Sequence, residues 1–388
     1  MISFHNTETA FRHKSNKDLR RARQLFSVIS SPGLVSVGNS LATWALRLRL
    51  PVKGLIRATL FKQFVGGENI EDCEKTIAQL HEYGVGTILD YSVEGKSDEA
   101  GFEACTAEIL RTIDKARGNA AIPFSVFKVT GLGPFDVLEA ANAGTPLSGE
   151  QQQAFGRLRN RVEKICSHAQ ACDVRIFVDA EDSWIQDAID RLAEEMMGRF
   201  NRQKAIVFNT VQLYRHDRLA YLEQLCEKAE NERFMVGIKA VRGAYMEKER
   251  ARAEAMGYPD PIQPNKASSD QDYNLAVKFC VERIDRIALC AGTHNEESCQ
   301  WLLEDMEALG IAKNDPRIWF AQLLGMSDHI SFNLSAAGYN VAKYVPYGPV
   351  EELIPYLSRR AQENTSVKGQ TGRELSLIKT ELRRRRKS

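Results

Sequence analysis

The 388-residue chain has little sequence suited to disulfide or metal chemistry. Its eight cysteines form no C-x-x-C pair and no spacing typical of zinc ligands, and no H-E-x-x-H motif is present. Several cysteines stand in apolar helical or strand-like segments, which predicts buried, reduced thiols. We therefore predict no metal site and a chain that works in a reducing compartment.

An excess of charge of one sign is also missing. Fifty-two Lys and Arg against 51 Asp and Glu leave a net charge of +1, which gives no global attraction to nucleic acid. The apolar segment 34–64 is interrupted by basic residues, so no run approaches the about 20 residues that a membrane span needs. The N-terminus lacks the apolar core of a signal peptide. We expect a soluble protein without a nucleic-acid partner.

Motifs that bind phosphates or activate a serine nucleophile are absent too. The sequence has no P-loop, no G-x-S-x-G and no G-x-G-x-x-G. The nearest glycine cluster, Gly131-Leu132-Gly133, is followed by Pro134 and does not open a phosphate-binding helix. The common nucleotide-binding loops are therefore excluded.

What is present from Gly84 onward is an alternation of short β-rich runs with longer amphipathic segments. Eight such units over about 280 residues match the length of an α/β fold of the TIM-like (β/α)₈ barrel type better than an open sheet. We predict three parts: an N-terminal helical extension at 1–82, the barrel at 83–371 and a basic tail at 372–388. The predicted strands are 86–93, 124–130, 174–180, 205–212, 235–241, 287–291, 318–322 and 340–345. The helices predicted before the barrel are 18–31, 34–49, 53–64 and 71–83.

Polar side chains collect where these strands end. In (β/α)₈ barrels the working residues lie at the carboxyl ends of strands and in the loops that follow. Charges buried there are costly unless they are paired or contact a ligand, so the set predicts a polar pocket. Its members are Asp90, Glu94, Lys128, Asp179, Glu181, Gln212, Arg242, Tyr245, Thr293, His294, Asn295 and Tyr344.

The stretch 343–366 has both an apolar and a cationic face. After the turn Gly348-Pro349, a helix is predicted to open at Glu351 and Glu352, where acids favour a helix N-terminus. Two adjacent arginines on it suit a carboxylate or phosphate, and a solvated basic face is the alternative. The cationic face carries Tyr356, Arg359, Arg360 and Glu363, and the apolar stripe carries Leu353, Leu357 and Ala361.

The residues alone leave other classes open. A lysine at a strand end, Lys128, also fits the Schiff-base lysine of an aldolase-type barrel. A barrel that binds a ligand without catalysis is equally compatible with the composition.

Four motifs resemble proline dehydrogenase. They are K-A-V-R-G-A-Y at 239–245, T-H-N at 293–295, Q-L-L-G-M at 322–326 and Y-V-P…Y-L-S-R-R at 344–360. The resemblance covers about residues 82–371 in the family's order, and segment 249–262 is similar to the stand-alone, mitochondrial-type branch. The residues left over are too few for an aldehyde dehydrogenase domain. The resemblance therefore implies a separate 1-pyrroline-5-carboxylate dehydrogenase for the next step.

The resemblance implies a distorted (β/α)₈ barrel that binds FAD over its strand ends, with the last helix covering the active site. Residues implied in catalysis or in binding the proline carboxylate are Lys128, Asp179, Tyr344, Tyr356, Arg359 and Arg360. Further substrate contacts are implied for Glu94, Tyr245 and Leu323. Flavin contacts are implied for Gln212, Lys239, Val241, Arg242, Gly243, Thr293, His294, Asn295 and Glu363. Lys239 stands where many relatives have arginine.

The implied reaction is oxidation of L-proline by hydride transfer from C5 to FAD N5, with electrons passed to a membrane quinone. This places the protein in the cytoplasm, peripheral on the inner membrane, or alternatively on the matrix side of the mitochondrial inner membrane. The basic tail 383–387 or the N-terminal helices would contact anionic lipid. A sister family oxidises hydroxyproline, and Tyr344, which leaves no room for a 4-hydroxyl group, favours L-proline.

Overall fold

The structure is a computed structural model that describes residues 2–29, 54, 57–92, 97–366 and 370–387. Glu94 and the predicted helix 34–49 lie outside the described residues, as does part of the predicted helix 53–64. Side chains at 361–371, including those of Ala361 and Glu363, are not described.

The eight β-rich runs form eight strands that close into a barrel in chain order. All the strand pairs whose register is given are parallel. This confirms the predicted (β/α)₈ fold. The strands are β1 Val85–Tyr91, β2 Phe124–Lys128, β3 Arg175–Asp179, β4 Val207–Gln212, β5 Val236–Val241, β6 Ile287–Gly292, β7 Ile318–Leu323 and β8 Val341–Tyr347.

Helices connect these strands, and several begin at a side-chain cap predicted by helix chemistry. Asn69, Asp98, Ser148 and Asn295 each accept a hydrogen bond from a backbone N–H of the first turn. The helices are Thr7–Phe11, Asn16–Ile29, Lys62–Phe64, Ile70–Glu82, Glu99–Ala116, Phe135–Asn142, Gly149–Ala171, Ser183–Phe200, Arg218–Glu232, Met246–Met256, Lys266–Glu282, Glu296–Ala308, Asp328–Ala336, Ile354–Ser366 and Gln370–Lys387, with a π-helical turn at Arg57–Phe61. In the part of the chain that the structure describes, no helix is long and apolar enough to cross a bilayer.

The chain divides into two compact units. The first comprises Met1–Thr87, Ser92–Glu94 and Gln322–Ser388, and the second comprises Ile88–Tyr91 and Gly95–Ala321. The division into extension, barrel and tail stays a prediction. All eight cysteines are free thiols, and seven of them are buried.

Aromatic side chains fill the second unit near the amino ends of its strands. The rings of Phe124 and Phe177 stack with centroids 4.5 Å apart, and Phe208 meets Phe124 edge-on at 5.6 Å. Trp319 contacts Phe124 edge-on at 5.3 Å. Because side chains alternate along a strand, Asp179 faces the same way as Phe177. The aromatic cluster therefore lies beneath Asp179 at the polar strand ends.

The first unit has its own apolar core, to which both ends of the sequence contribute. The C-terminal helix Gln370–Lys387 packs on the helix Asn16–Ile29. Burial of these apolar side chains supplies the main stabilisation of this unit. The core residues include Phe11, Leu19, Phe26, Phe64, Leu353, Tyr356, Leu357, Leu377, Ile378 and Leu382.

The basic tail belongs to this C-terminal helix. Arg384 and Arg385 both bind the carboxylate of Glu381, which is fully buried. Arg385 also donates to the backbone carbonyls of Phe11 and Lys14, both at 2.8 Å. Two of the five basic residues therefore make intramolecular contacts.

The last strand and the helix after it differ from the predicted bounds. β8 continues to Tyr347 because the Pro346 carbonyl accepts a hydrogen bond from Gly66 N–H at 2.9 Å, and Tyr347 forms a bridge with Gly67. Tyr344 consequently lies within the strand rather than at its end. The helix begins at Ile354, not at Glu351. Residues 351–353 form a turn in which the N–H groups of Glu352 and Leu353 both donate to the Pro349 carbonyl.

We predict opposite effects on stability for two glycine-to-alanine changes in the second unit. A Cβ at Gly237 in β5 would lie 2.5 Å from the Val207 carbonyl oxygen and 2.7 Å from Phe208, whereas one at Gly156 in a helix meets nothing within 4 Å. Gly237→Ala should lower the free energy of unfolding by about 1–3 kcal/mol through overpacking. Gly156→Ala should raise it by about 0.5–1 kcal/mol.

Denaturant unfolding of both variants measures these changes. Equal destabilisation by the two alanines would show that the close packing at β5 does not require glycine.

Candidate active site

One buried carboxylate holds two lysines at the strand ends of the second unit. Lys128 and Asp179 end β2 and β3 and are register partners, which brings Lys128 Nζ to 3.1 Å from Asp179 Oδ2. Lys239, inside β5, donates to the other oxygen, Asp179 Oδ1. Asp179 and Lys239 are 7% and 5% exposed. This lysine–aspartate–lysine group carries a net positive charge.

The contacts within this group favour the ionised forms of Asp179 and Lys128. Burial opposes ionisation of Asp179, but the charges and hydrogen bonds of Lys239 and Lys128 outweigh it, so the pKa of Asp179 lies below its ordinary value. Burial likewise opposes protonation of Lys128, but Asp179, and then Tyr245 and Asp90, raise its pKa well above the ordinary value. Lys128 is therefore a fixed cation at neutral pH, which is the form that binds a carboxylate rather than the neutral amine that forms a Schiff base.

A second carboxylate, Glu181, organises the loop after β3. It accepts hydrogen bonds from the backbone N–H and the hydroxyl of Thr130. Burial raises its pKa, although Lys128 and Thr130 act in the opposite direction. Gln212, at the end of β4, donates from its amide to the Glu181 carbonyl at 2.7 Å. The ends of β2, β3 and β4 are thus connected by hydrogen bonds.

The ends of β5 and β6 are connected through one arginine. Arg242 donates to Asp270 at 2.6 Å, to the Thr293 hydroxyl at 2.8 Å and to the Ser298 hydroxyl at 2.7 Å. Its guanidinium lies 4.3 Å from the centre of the Tyr273 ring. Asn295 caps the helix Glu296–Ala308 through hydrogen bonds from its first turn. The result is a fixed cation beside a helix N-terminus, a combination that suits an anionic ligand.

Two further features lie on β4 and just after β5. Gly243 directly follows Arg242 with φ +128, and a Cβ there would lie 2.5 Å from the Tyr214 ring, so the position requires glycine. Thr210, beside Lys239 in the sheet register, is 4% exposed, and its hydroxyl has no hydrogen-bond partner among the described residues. Such a buried polar atom is typical of a surface that contacts a ligand.

The first unit carries a separate group of candidate residues on β8 and the helix Ile354–Ser366. Tyr344, Tyr356 and Arg360 are 8%, 6% and 6% exposed, and Arg359 is half-buried. The Arg360 guanidinium lies 5.1 Å from the centre of the Tyr356 ring. Leu353 and Leu357 anchor this segment in the apolar core. Tyr356, Arg359 and Arg360 therefore lie on a helix that is anchored in this core, whereas Tyr344 lies on β8.

A buried lysine fixes the turn that carries Leu323. Lys343, 1% exposed, donates to the carbonyls of Leu323 at 3.3 Å and Met326 at 2.7 Å and pairs with Asp328 at 2.9 Å. Burial lowers the pKa of Lys343, and Asp328 acts in the opposite direction. Leu324 N–H donates to the Tyr344 carbonyl at 2.8 Å. Leu323 and Tyr344 thus share one hydrogen-bonded frame.

Comparison with known proteins identifies the protein family. The family model described as "Proline dehydrogenase" matches residues 73–373. The chain belongs to the proline dehydrogenase family. It is therefore an oxidoreductase of the proline dehydrogenase type.

Several individual proteins are similar to this chain, and their names indicate different functions. The chain is 36% identical over 322 residues to "Carbapenem antibiotics biosynthesis protein CarD" of Pectobacterium carotovorum subsp. carotovorum, with 83% of each chain covered. It is 34% identical to "Hydroxyproline dehydrogenase" of Bos taurus, with 97% of this chain and 92% of that one covered. It is 42% identical over 246 residues to "Proline dehydrogenase 1, mitochondrial" of Drosophila melanogaster, covering 61% of this chain but only 36% of that protein.

A solved structure supports the proline dehydrogenase barrel. Proline utilization A (PutA) from Bdellovibrio bacteriovorus, inactivated by N-propargylglycine, superposes with a TM-score of 0.74 at 21% sequence identity. The match covers 95% of this chain and 40% of that one. At this identity the likeness shows the fold.

The structure brings together some of the residues expected from the proline dehydrogenase resemblance. Lys128, Asp179 and Lys239 form one group, and Arg242, Thr293 and Asn295 form another. Val241 ends β5, whereas His294 lies half-buried between Thr293 and Asn295. Tyr245 follows β5, and its electrostatic interaction with Lys128 contributes to the raised pKa of that lysine. Roles in catalysis and binding stay predictions for all of them.

Sequence reasoning missed several supporting residues. Lys343 was signalled by its position as a lone charge within the apolar strand V-A-K-Y-V. Asp270 and Ser298, which hold Arg242, lie on two different helices and gave no local signal. Their role depends on the packing of helices that only the fold reveals.

We predict that Lys128 reacts with an amine-specific reagent only at higher pH than an exposed lysine. Its raised pKa keeps it protonated, and the charge of Asp179 is the largest contribution that raises it. The midpoint pH for modification of Lys128, followed by mass spectrometry, should exceed that of Lys278 on the same molecule, whose side chain is 57% exposed. In Asp179→Asn the Lys128 midpoint should fall, whereas that of Lys278 should not move.

A Lys128 midpoint at or below that of Lys278 in the wild type would restore the Schiff-base alternative. Circular dichroism of Asp179→Asn controls for unfolding.

Proposed function

We propose that this member of the proline dehydrogenase family oxidises L-proline to 1-pyrroline-5-carboxylate with FAD as its cofactor. The observation that carries the proposal is the group Lys128–Asp179–Lys239 at the strand ends of a barrel of this family. Its net positive charge provides a site for the substrate carboxylate.

By the family resemblance, the proposed ligands of the proline carboxylate are Lys128 of the second unit and Arg359 and Arg360 of the first unit. Lys128 is a permanent cation because of Asp179. Arg359 and Arg360 are adjacent on the helix Ile354–Ser366, and Arg360 is buried against the Tyr356 ring. A guanidinium fork matches the planar geometry of a carboxylate, and low exposure strengthens each contact. By the family resemblance, Tyr245, Tyr344, Tyr356 and Leu323 would contact the apolar ring of the substrate. Glu94, implied as a further substrate contact, lies outside the described residues.

The same cations favour the deprotonated form of the substrate nitrogen. Positive charge near the ring amine disfavours its protonated form and lowers its pKa. The neutral amine has a lone pair that forms the C=N bond as C5 loses a hydride, and the remaining N–H proton is then released. No side chain has to act as a strong base. Asp179 serves as a positioning residue that orients and charges Lys128.

The second unit offers a donor set that fits FAD. A flavin dinucleotide needs cations for its diphosphate and its N1–C2=O edge, and amides or hydroxyls for its other polar atoms. Arg242 and Lys239 supply the cations, Gln212 and Thr293 supply polar contacts, and the Thr210 hydroxyl has no partner among described residues. When bound, FAD supplies the acceptor, at N5, for the hydride from proline C5. The full proposed set is Gln212, Lys239, Val241, Arg242, Gly243, Thr293, His294, Asn295 and Glu363.

The proposed partners follow from the two electrons that leave the substrate. A membrane quinone takes them, so the protein works as a peripheral protein at the inner membrane, on the cytoplasmic or the mitochondrial matrix side. Several relatives carry the word "mitochondrial" in their names. Arg383, Arg386 and Lys387 are exposed on the last helix and are the residues of the tail most available to anionic lipid. A separate dehydrogenase would consume 1-pyrroline-5-carboxylate.

We expect Arg359→Met and Arg360→Met each to lower kcat/KM for L-proline by roughly ten- to a hundredfold. Each removes a charge-assisted contact worth about 1.5–3 kcal/mol. Steady-state kinetics with a soluble quinone measures the loss, and product is followed as trapped 1-pyrroline-5-carboxylate. Arg383→Met is the matched control, because this exposed arginine lies outside the proposed site.

The combination of Arg360→Met with Lys128→Met tests whether both cations bind one carboxylate. If they do, the double variant loses less than the product of the two single losses. Independent effects, or normal proline kinetics in both arginine variants, would contradict the assignment.

Hydroxyproline is the second candidate substrate, because relatives named hydroxyproline dehydrogenase cover 97% of this chain at 33–34% identity. Tyr344 favours L-proline. Its ring is 8% exposed and held by the β8 frame, and an aromatic ring against the pyrrolidine leaves a 4-hydroxyl group without space or a partner.

We predict that the wild type prefers L-proline to trans-4-hydroxy-L-proline by about ten- to a hundredfold in kcat/KM, equivalent to about 1–3 kcal/mol. Tyr344→Ser should reduce this ratio because it removes the ring and adds a hydroxyl. Tyr344→Phe should preserve the ratio and serves as the control for a purely steric effect. An unchanged ratio in Tyr344→Ser would exclude Tyr344 as the selecting residue.

A further inference from the structure

Three side chains with metal-binding chemistry meet on the helices of the second unit, outside the active site. His168 Nε2 lies 2.7 Å from Asp114 Oδ1 and 3.7 Å from Cys172 Sγ. The three ligand atoms all lie within 4.8 Å of one another. Asp114 belongs to the helix Glu99–Ala116, whereas His168 and Cys172 lie at the end of the helix Gly149–Ala171.

The helix geometry explains the cluster. His168 and Cys172 are four residues apart, which places them on one helical face. Asp114 approaches from the neighbouring helix, which packs against the first. Cys172 is 8% exposed, while the side chains of His168 and Asp114 are 34% and 59% exposed. The cluster therefore has a buried sulfur at its base and an open side toward solvent.

The arrangement does not fit nucleophilic catalysis by cysteine. In a Cys-His-Asp triad the thiol and the carboxylate contact opposite nitrogens of the imidazole. Both contact the same nitrogen, Nε2, in this structure. One nitrogen, one sulfur and one carboxylate oxygen that converge on a common point are instead the donors that zinc prefers.

We propose that Asp114, His168 and Cys172 form a zinc site whose fourth ligand is water. With Zn–N and Zn–O distances near 2 Å, tetrahedral geometry separates those two ligand atoms by about 3.3 Å. The Asp114 and His168 atoms must therefore move apart by roughly half an ångström, which their exposed side chains can do by small rotations. The Cys172 thiol loses its proton on binding, and the thiolate becomes a ligand.

The site would act on stability rather than on turnover. It ties the end of the helix before β2 to the end of the helix before β3, the two strands that carry Lys128 and Asp179. A ligand that binds only the folded protein raises its melting temperature. The site takes no part in the proposed oxidation of proline, so each proposal can fail without the other.

Zinc binding to the full, untagged protein tests the inference. After removal of adventitious metal with a chelator, titration with Zn²⁺ should give one equivalent bound per chain, and Co²⁺ should produce a thiolate-to-metal charge-transfer band. His168→Gln and Cys172→Ser should each weaken binding by more than about tenfold. Cys172→Ser should also abolish the charge-transfer band.

Matched controls separate this site from general metal affinity. Cys226→Ser and His81→Ala change a cysteine and a histidine outside the cluster and should leave stoichiometry and affinity unchanged. Zn²⁺ should raise the melting temperature of the wild type and of both controls, but not that of His168→Gln. No bound equivalent in the wild type, or equal binding by the wild type and the cluster variants, would overturn the proposal.

Discussion

The strand ends of the second unit are organised around one shared carboxylate, Asp179, which binds the buried Lys239 and the partly buried Lys128. A single buried lysine favours its neutral form, whereas a lysine beside a buried carboxylate stays charged. Asp179 keeps its charge at neutral pH because the two lysines lower its pKa. This pairing stabilises the fold above the ordinary aspartate pKa and is lost as acid protonates Asp179. In this pairing two lysines share one carboxylate.

The first unit depends on a comparable buried arrangement. Asp328 pairs with Lys14 at 2.6 Å and with Lys343 at 2.9 Å, so a helix-proximal lysine and a strand lysine share one acid. Burial opposes ionisation of Asp328, but the two lysines hold its pKa well below the ordinary value. Lys343 in turn fixes the carbonyls of Leu323 and Met326. The candidate substrate residues Leu323 and Tyr344 therefore lie next to a buried ion-pair group that includes Lys14, which is far from them in sequence.

The sequence predicted the elements whose signal is local and missed those that depend on packing. Eight β-rich runs gave the barrel, and the register of β2 and β3 made Lys128 and Asp179 partners. The predicted strand 340–345 stops before Pro346, but a bridge between Gly67 and Tyr347 extends β8 beyond it. Lys239 was predicted only as a flavin contact, and its bond to Asp179 crosses from β5 to β3. Asp114 lies 54 residues before His168, so the spacing of short sequence motifs could not predict the cluster of Asp114, His168 and Cys172.

The central claim is that this chain removes a hydride from C5 of L-proline with a bound flavin. Rapid anaerobic mixing of the purified yellow enzyme with L-proline, followed at the flavin absorption band, measures that step directly. The account predicts that proline bleaches the band, that deuterium at C5 slows the bleaching and that deuterium at C2 does not. A colourless protein, an unbleached band, or a slowing by deuterium at C2 alone would contradict it.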